Sequence, residues 1–302
     1  MPKAPRTGGS LIRLVVMRVS RAPYLLVAVT ILLWSSFAAL LVRLNHLPPL
    51  LLVGLALGIG SLPSLPRARQ WFARPGLLAF GAAGMFGYHL LLFLALRLAP
   101  PVEANLLNYL WPVLIVLLAG LVLPGRRLGL RHALGALMAF GGAALVITGG
   151  KVAFESRYLA GYACAVGAAL TWAVYSVLPR RMAPFPTSMV GGFCLVSSLL
   201  ALAGHALFEP PAVLSGRDWG LLLAIGLGPM GLAFYSWDAS LKRGDPRLLG
   251  ALSYLIPVLS TLWLSLTWVG GGITRTTVAA LALIVGGSAL SSLRLRRGRL
   301  RR

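Results

Sequence analysis

Ten apolar runs follow one another along this chain, near 23–42, 48–65, 76–96, 101–123, 132–149, 158–179, 186–207, 219–241, 246–269 and 273–293. A helix needs about 20 largely apolar residues to cross the roughly 30 Å hydrocarbon core of a bilayer. Only short connections separate the runs, so no soluble domain fits between them. In lipid every backbone polar group must be bonded within the protein, and a helix does this by itself. The pattern therefore predicts an all-α membrane protein with ten transmembrane helices. Composition excludes the soluble alternative. Hydrophobic residues are 58% of the chain and charged residues 11%, against about 25% charged in a soluble domain. The run from Pro48 to Leu65 is the shortest. No cleavable signal peptide is evident, because the first run is long enough to span.

Charge fixes the expected orientation. The chain holds 28 Lys and Arg against 6 Asp and Glu, a net charge of +22. An even number of spans puts both termini on one side. That side collects 22 of the 28 basic residues, including Arg67, Arg69, Arg126, Arg127, Arg180, Arg181 and the tail Arg294 to Arg302. The other side holds six: Arg43, Arg97, Lys151, Arg157, Arg217 and Arg275. Cytoplasmic connections carry the basic excess, so both termini are expected in the cytoplasm. The expected partners of these basic segments are anionic lipid headgroups. Nucleic acid is not expected, since no basic stripe with interleaved aromatics exists. The stretch Leu11 to Val19 is too short to cross, and it fits an inner-surface segment and a disordered one equally.

The chain also repeats itself. At an offset of 145, Asn108-Tyr109-Leu110-Trp111-Pro112-Val113-Leu114 matches Ser253-Tyr254-Leu255-Ile256-Pro257-Val258-Leu259, and Gly141-Gly142 matches Gly286-Gly287. At an offset of 138, Trp34 matches Trp172 and Phe37 matches Tyr175. Two halves of five spans follow, 23–150 and 151–293, flanked by a cytoplasmic segment 1–22 and a basic tail 294–302. Five is odd, so the second half enters the membrane inverted. Inverted repeats are a recurrent transporter architecture, with the substrate site near the midplane between the halves.

The residues that could do chemistry agree with transport rather than catalysis. No paired carboxylates, HExxH, GxSxG or phosphate-binding loop occurs. His46, His89, His132 and His205 lack ligand spacing, so no metal or cofactor is expected. Cys164 and Cys194 fall in apolar runs, as small buried hydrophobes do. Pro112 and Pro257 lie mid-span at matched positions. Each removes a backbone hydrogen bond and kinks its helix, which suggests a pair of hinges. Asn105, Asn108, Tyr109 and Pro112 share one helix face; Gly250, Ser253, Tyr254, Pro257 and Thr261 share another. Asparagine in hydrocarbon is costly unless bonded, so Asn105 and Asn108 should face protein or water. Trp34, Tyr88, Trp172, Tyr175 and Tyr235 lie deeper than an interfacial belt, and His89 follows Tyr88. An aromatic wall with a few polar groups suits a planar or aromatic ligand. The two acids within the runs, Glu103 and Asp238, sit near span ends. Proton-coupled antiport usually uses a titratable group inside the membrane, so transport without tight proton coupling is expected. The glycines at Gly54/Gly58, Gly141-Gly142 and Gly286-Gly287 permit close helix contact.

Two five-helix halves with Pro-kinked fourth and ninth spans resemble the drug/metabolite transporter superfamily, in its ten-helix, EamA-type branch. The stretch from Glu103 through Asn105, Asn108 and Tyr109 to Pro112 is similar to the fourth span of the bacterial aromatic amino-acid exporters, which also handle paraquat. The resemblance implies an exporter of the bacterial inner membrane that takes a small-molecule substrate. It implies a central cavity lined by helices one, three, four, six, eight and nine. Carried onto this chain, the substrate-binding candidates are Trp34, Tyr88, His89, Asn108, Tyr109, Trp172, Tyr175 and Ser253. The expected function is export of aromatic or other neutral amino acids by alternating access. The alternative is a proton-coupled exporter of lipophilic cations, for which a deep carboxylate would be expected.

Overall fold

The computed structural model describes residues 21–124, 128–267 and 275–292. The stretch Leu11 to Val19, the pair Arg126-Arg127 and the tail 294–302 lie outside the described residues. Among the described residues the chain is helical and holds no strand. The helices are α1 (Ala22–Leu41), α2 (Pro49–Ser61), α3 (Pro75–Leu98), α4 (Pro101–Val122), α5 (Leu130–Thr148), α6 (Leu159–Val177), α7 (Met189–Phe208) and α8 (Gly216–Arg243). Then come α9, in two pieces (Pro246–Leu252 and Leu255–Thr267), and α10 (Arg275–Ser292). Nine of these described spans are long and apolar enough to cross a membrane, and α10 adds a tenth apolar helix of 18 residues. The chain is a multi-pass membrane protein.

Proline opens many of the helices. α1, α2, α3, α4 and α9 each carry it at the first or second position. There the missing N–H is no loss and the fixed φ already suits the helix. α2 shows how a short span is tolerated. Its α-helical part is 13 residues, about 20 Å at 1.5 Å per residue. Pro63 and Pro66 then turn it into a 3-10 stretch, Leu62–Gln70. Its N-terminus is closed by another helix. The Glu209 carboxylate, just past α7, accepts from the N–H of Leu50 at 2.9 Å and of Leu51 at 3.2 Å. A carboxylate at that end meets both the orphan donors and the helix dipole.

The two parts of the chain interlock. α1 packs on α8 and α9, while α6 packs on α3 and α4. α2 lies along α7, α4 crosses α9, and α5 lies along α10. The first helix of each five thus sits against the third and fourth of the other. Serine hydroxyls tie some of these contacts. On α7, Ser198 donates to the Gly54 carbonyl of α2 at 2.6 Å, and Ser197 to the Ala82 carbonyl of α3 at 3.2 Å. Such bonds satisfy carbonyl lone pairs without water. The α5–α10 contact uses the paired glycines. A Cβ on Gly287 would overlap the Gly135 carbonyl, so these backbones touch only because no side chain intervenes.

The expected kinks exist, and each lies just ahead of its proline. α4 loses its helical turn at Tyr109-Leu110 and α9 at Ser253-Tyr254. Proline at 112 cannot donate to the carbonyl of Asn108, and proline at 257 cannot donate to that of Ser253. The two breaks meet. Tyr254, fully buried, inserts its hydroxyl into the break in α4. It accepts from the Val113 N–H at 3.2 Å and donates to the Tyr109 carbonyl at 3.1 Å. It thereby stands in for the Val113-to-Tyr109 backbone bond of an unbroken helix. Gly250 allows the approach, since a Cβ there would come within 3.1 Å of the Pro112 carbonyl.

α8 bends by a different device. A π-turn at Gly228–Leu232 interrupts it around Pro229. π-turns inside helices often mark functional sites, and this one faces the centre of the molecule.

Candidate functional site

A cavity of about 370 Å³ lies where α1, α3, α4, α6, α8 and α9 converge. It extends toward the end of the molecule where α1 and α3 finish and α4 begins, past Leu41, Leu96 and Pro101. Six of the eight predicted substrate residues line it: Trp34, Tyr88, His89, Asn108, Tyr109 and Trp172. Asn105 lines it too.

Trp34 of α1 sits among four rings. Its ring centroid lies 5.5 Å from Trp237, 5.7 Å from Trp172, 6.0 Å from Phe234 and 6.1 Å from Trp111. Its indole N–H donates to the Pro229 carbonyl at 3.0 Å. The π-turn is thus used by the site: it turns a backbone oxygen toward the tryptophan that needs an acceptor. Trp172 of α6 lies 5.1 Å from Tyr88 and 5.6 Å from Phe234. Tilted and edge-on geometries dominate these contacts, which suits the ring quadrupoles.

Three polar side chains of α3 and α4 face this wall. The Asn108 amide donates to the Tyr88 hydroxyl at 3.4 Å. Asn108 is 4% exposed, and its Oδ1 is buried with no hydrogen-bond partner. An acceptor left unsatisfied in a buried site costs about 1–3 kcal/mol. His89 Nδ1 lies 2.7 Å from the Met85 carbonyl. A carbonyl only accepts, so Nδ1 carries the hydrogen, and in the neutral ring Nε2 is then the lone-pair nitrogen. No Asp or Glu is among the described residues that line the cavity. Glu103 lies off it, in the first turn of α4, with an oxygen 3.5 Å from the Ala153 N–H.

Two predicted residues lie elsewhere. Tyr175 stacks on Trp172 at 5.0 Å but faces a second cavity on the far side. The two rings are at i and i+3 on one helix, so Trp172 and Tyr175 lie one above the other along α6. Ser253 is fully buried, and its hydroxyl donates to the Leu249 carbonyl one turn back at 2.9 Å. A single face through Gly250, Ser253, Tyr254, Pro257 and Thr261 requires a continuous helix. The break at Ser253-Tyr254 shifts its phase, and α9 presents Ile256 and Ser260 to the cavity instead.

The sequence reading missed Trp111, Phe234, Pro229 and Met230, all of which line the cavity. Trp111 carried a signal, since it precedes the kinking Pro112 at mid-span. So did the Gly228-Pro229 pair, a helix breaker in the middle of an apolar run. Phe234 carried none. Tyr235, singled out for its depth, instead donates to the Gly60 carbonyl at 3.1 Å and braces the end of α2.

A polytopic helical bundle with a central, aromatic, uncharged cavity is the construction of a membrane carrier for small molecules. The chain belongs to the EamA-like transporter family, whose model matches it twice, over residues 21–148 and 159–293. It is 43% identical to the aromatic amino acid exporter YddG of Ancylobacter novellus, over 92% of this chain and 100% of that protein. It is 28% identical to a probable terminal-alkyne amino-acid exporter of Streptantibioticus cattleyicolor, over 84% of this chain and 87% of that one. A crystal structure of a protein 42% identical in sequence superposes with a TM-score of 0.84, covering 89% of this chain and 96% of that one.

Proposed function

We propose that this protein exports amino acids with aromatic or other apolar side chains across a bacterial inner membrane, without altering them chemically. The observation that carries this reading is a central cavity walled by aromatic rings and edged by dipolar side chains, with no Asp, Glu, Lys or Arg among the described residues that line it. The Tyr88 oxygen and His89 Nε2 offer acceptors to a free ammonium group, and the Tyr109 hydroxyl offers a donor to the carboxylate. The rings around Trp34 and Trp172 receive the apolar side chain. Dipoles replace full charges, so a zwitterion is held without the desolvation cost of a buried counter-ion. The similarity to the aromatic amino acid exporter of Ancylobacter novellus supports the same reading.

The halves 23–150 and 151–293 act as inverted repeats around this cavity. The reciprocal seating of α1 and α6 supports that division. They rock about the breaks beside Pro112 and Pro257, so that the cavity meets one side of the membrane and then the other. The basic excess puts both termini in the cytoplasm, where anionic headgroups meet it. With no carboxylate among the described residues that line the cavity, transport in this reading runs down the substrate gradient.

Liposomes holding the purified protein, with no pH gradient, test the proposal. Saturable uptake of labelled phenylalanine or tryptophan is expected. Movement of paraquat but of no amino acid would overturn it in favour of a cation exporter. Uphill accumulation driven by a pH gradient and abolished by a protonophore would refute the facilitative mechanism.

A further inference from the structure

The cavity beyond the aromatic wall has no role in the reading above. It is about 330 Å³ and lies between the ends of α6 and α8 and the start of α7. The wall between the two cavities is two rings thick. Trp172 faces the first and Tyr175 the second, stacked at 5.0 Å. Trp111 lines the first, Trp237 the second, and their centroids are 5.7 Å apart.

The two chambers share aromatic surfaces and differ in charge. The first has a dipolar wall. The second carries an acid and a base one helical turn apart on α8, and it is also lined by Arg180, whose guanidinium donates to the Leu241 and Gly244 carbonyls. Lys242 Nζ lies 2.6 Å from the Asp238 carboxylate, and the Thr187 hydroxyl donates to that same oxygen at 2.6 Å. The ammonium also sits 3.8 Å from the centroid of the Phe185 ring. The side chains of Lys242 and Asp238 are 28% and 15% exposed, so both charges are partly desolvated. A desolvated pair contributes little net stability, because desolvation offsets most of the attraction. What such a pair offers is one cationic and one anionic group at the edge of an apolar chamber.

We propose that this second cavity is a binding site for a zwitterionic amino acid, with Asp238 receiving the ammonium, Lys242 the carboxylate, and Tyr175, Phe193 and Trp237 the apolar side chain. It rests on the amino-acid reading of the first cavity and names the station on the opposite side of the wall. Empty, the two residues neutralise each other. Occupied, each faces an opposite charge of the ligand, so a zwitterion leaves the net charge of the chamber, to which Arg180 also contributes, unchanged. A lone amine or a lone carboxylate leaves one residue uncompensated in a site of reduced dielectric, which is costly. The chamber therefore selects the zwitterion over either singly charged analogue. Displacement of the Trp172–Tyr175 and Trp111–Trp237 rings would join the two stations.

The test uses Met182, which lines this cavity and not the first. In a background with Cys164 and Cys194 replaced by serine, Met182→Cys is labelled with a maleimide in membrane vesicles. Phenylalanine is expected to slow labelling at least tenfold at saturation, while phenethylamine and 3-phenylpropionate at equal concentration leave it within twofold. Asp238→Asn with Lys242→Met should remove the protection. Unchanged labelling by phenylalanine overturns the proposal, as does equal protection by all three compounds. If the double variant does not fold, protection in the otherwise unaltered Met182→Cys protein still decides. Transport read alongside separates the two claims. Protection without phenylalanine transport keeps this site and refutes the carrier reading, and transport without protection does the reverse.

Discussion

At the scale of single residues, Asn108 separates function from stability. Its amide reaches Tyr88 while its oxygen has no partner. Asn108→Ala removes a buried, half-satisfied polar group, so the melting temperature should stay level or rise. Phenylalanine uptake should fall at least tenfold, worth about 1.4 kcal/mol of binding. A parallel loss of melting temperature and uptake would instead assign Asn108 to helix packing. Glu209 should behave in the opposite way. Its carboxylate accepts from Leu50 and Leu51 and pairs with His205 at 3.0 Å. Glu209→Ala should cost about 1–2 kcal/mol of stability, as loss of a helix cap does. Transport per folded molecule should persist. Both residues are polar groups in an apolar chain, and only their partners distinguish them. The helix face it shares with Asn105, Tyr109 and Pro112 marked Asn108 in the sequence, and nothing local pointed from Glu209 to α2.

At the scale of elements, the paired breaks in α4 and α9 set the mechanics. Tyr254 and Tyr109 occupy equivalent positions in the repeat, yet Tyr109 lines the cavity while Tyr254 fills the break in its neighbour. Tyr254→Phe keeps the ring and removes the bridge. It strands the Val113 N–H and the Tyr109 carbonyl, so a loss of about 2 kcal/mol in stability is expected. If α4 bends there during transport, maximal uptake rate should change while the half-saturating concentration stays within about twofold. Pro112→Ala and Pro257→Ala test the hinge directly. A continuous helix through either site should slow turnover, and unaltered uptake in both would refute the hinge role. The prolines, and thus the existence of two breaks, were legible in the sequence. The phase of α9 beyond its break was not, because helical periodicity carries no information across a segment that abandons it. Ser253 fell out of the cavity for this reason, and Ile256 and Ser260 came into it.

At the scale of the whole molecule, two chambers of similar size stand on either side of one aromatic wall. Access to them should be one-sided. Ser260→Cys, in the first chamber, and Ser176→Cys, in the second, should react with an impermeant maleimide from opposite faces of the membrane in a background lacking Cys164 and Cys194. Labelling of both from one face would contradict a closed wall. By itself the sequence determined the class of fold, the order of ten spans and the places where two of them break. Each follows from physics local to a segment: apolar length against bilayer thickness, and a missing amide hydrogen at proline. The tertiary structure alone decided which aromatic rings meet, that Trp172 and Tyr175 face different chambers, and that Asp238 and Lys242 border a cavity. Those outcomes depend on how distant helices rotate and cross. A single apolar segment encodes them poorly, because its lipid-facing and packed faces are both largely apolar and contact with its partners decides which rings reach the cavity.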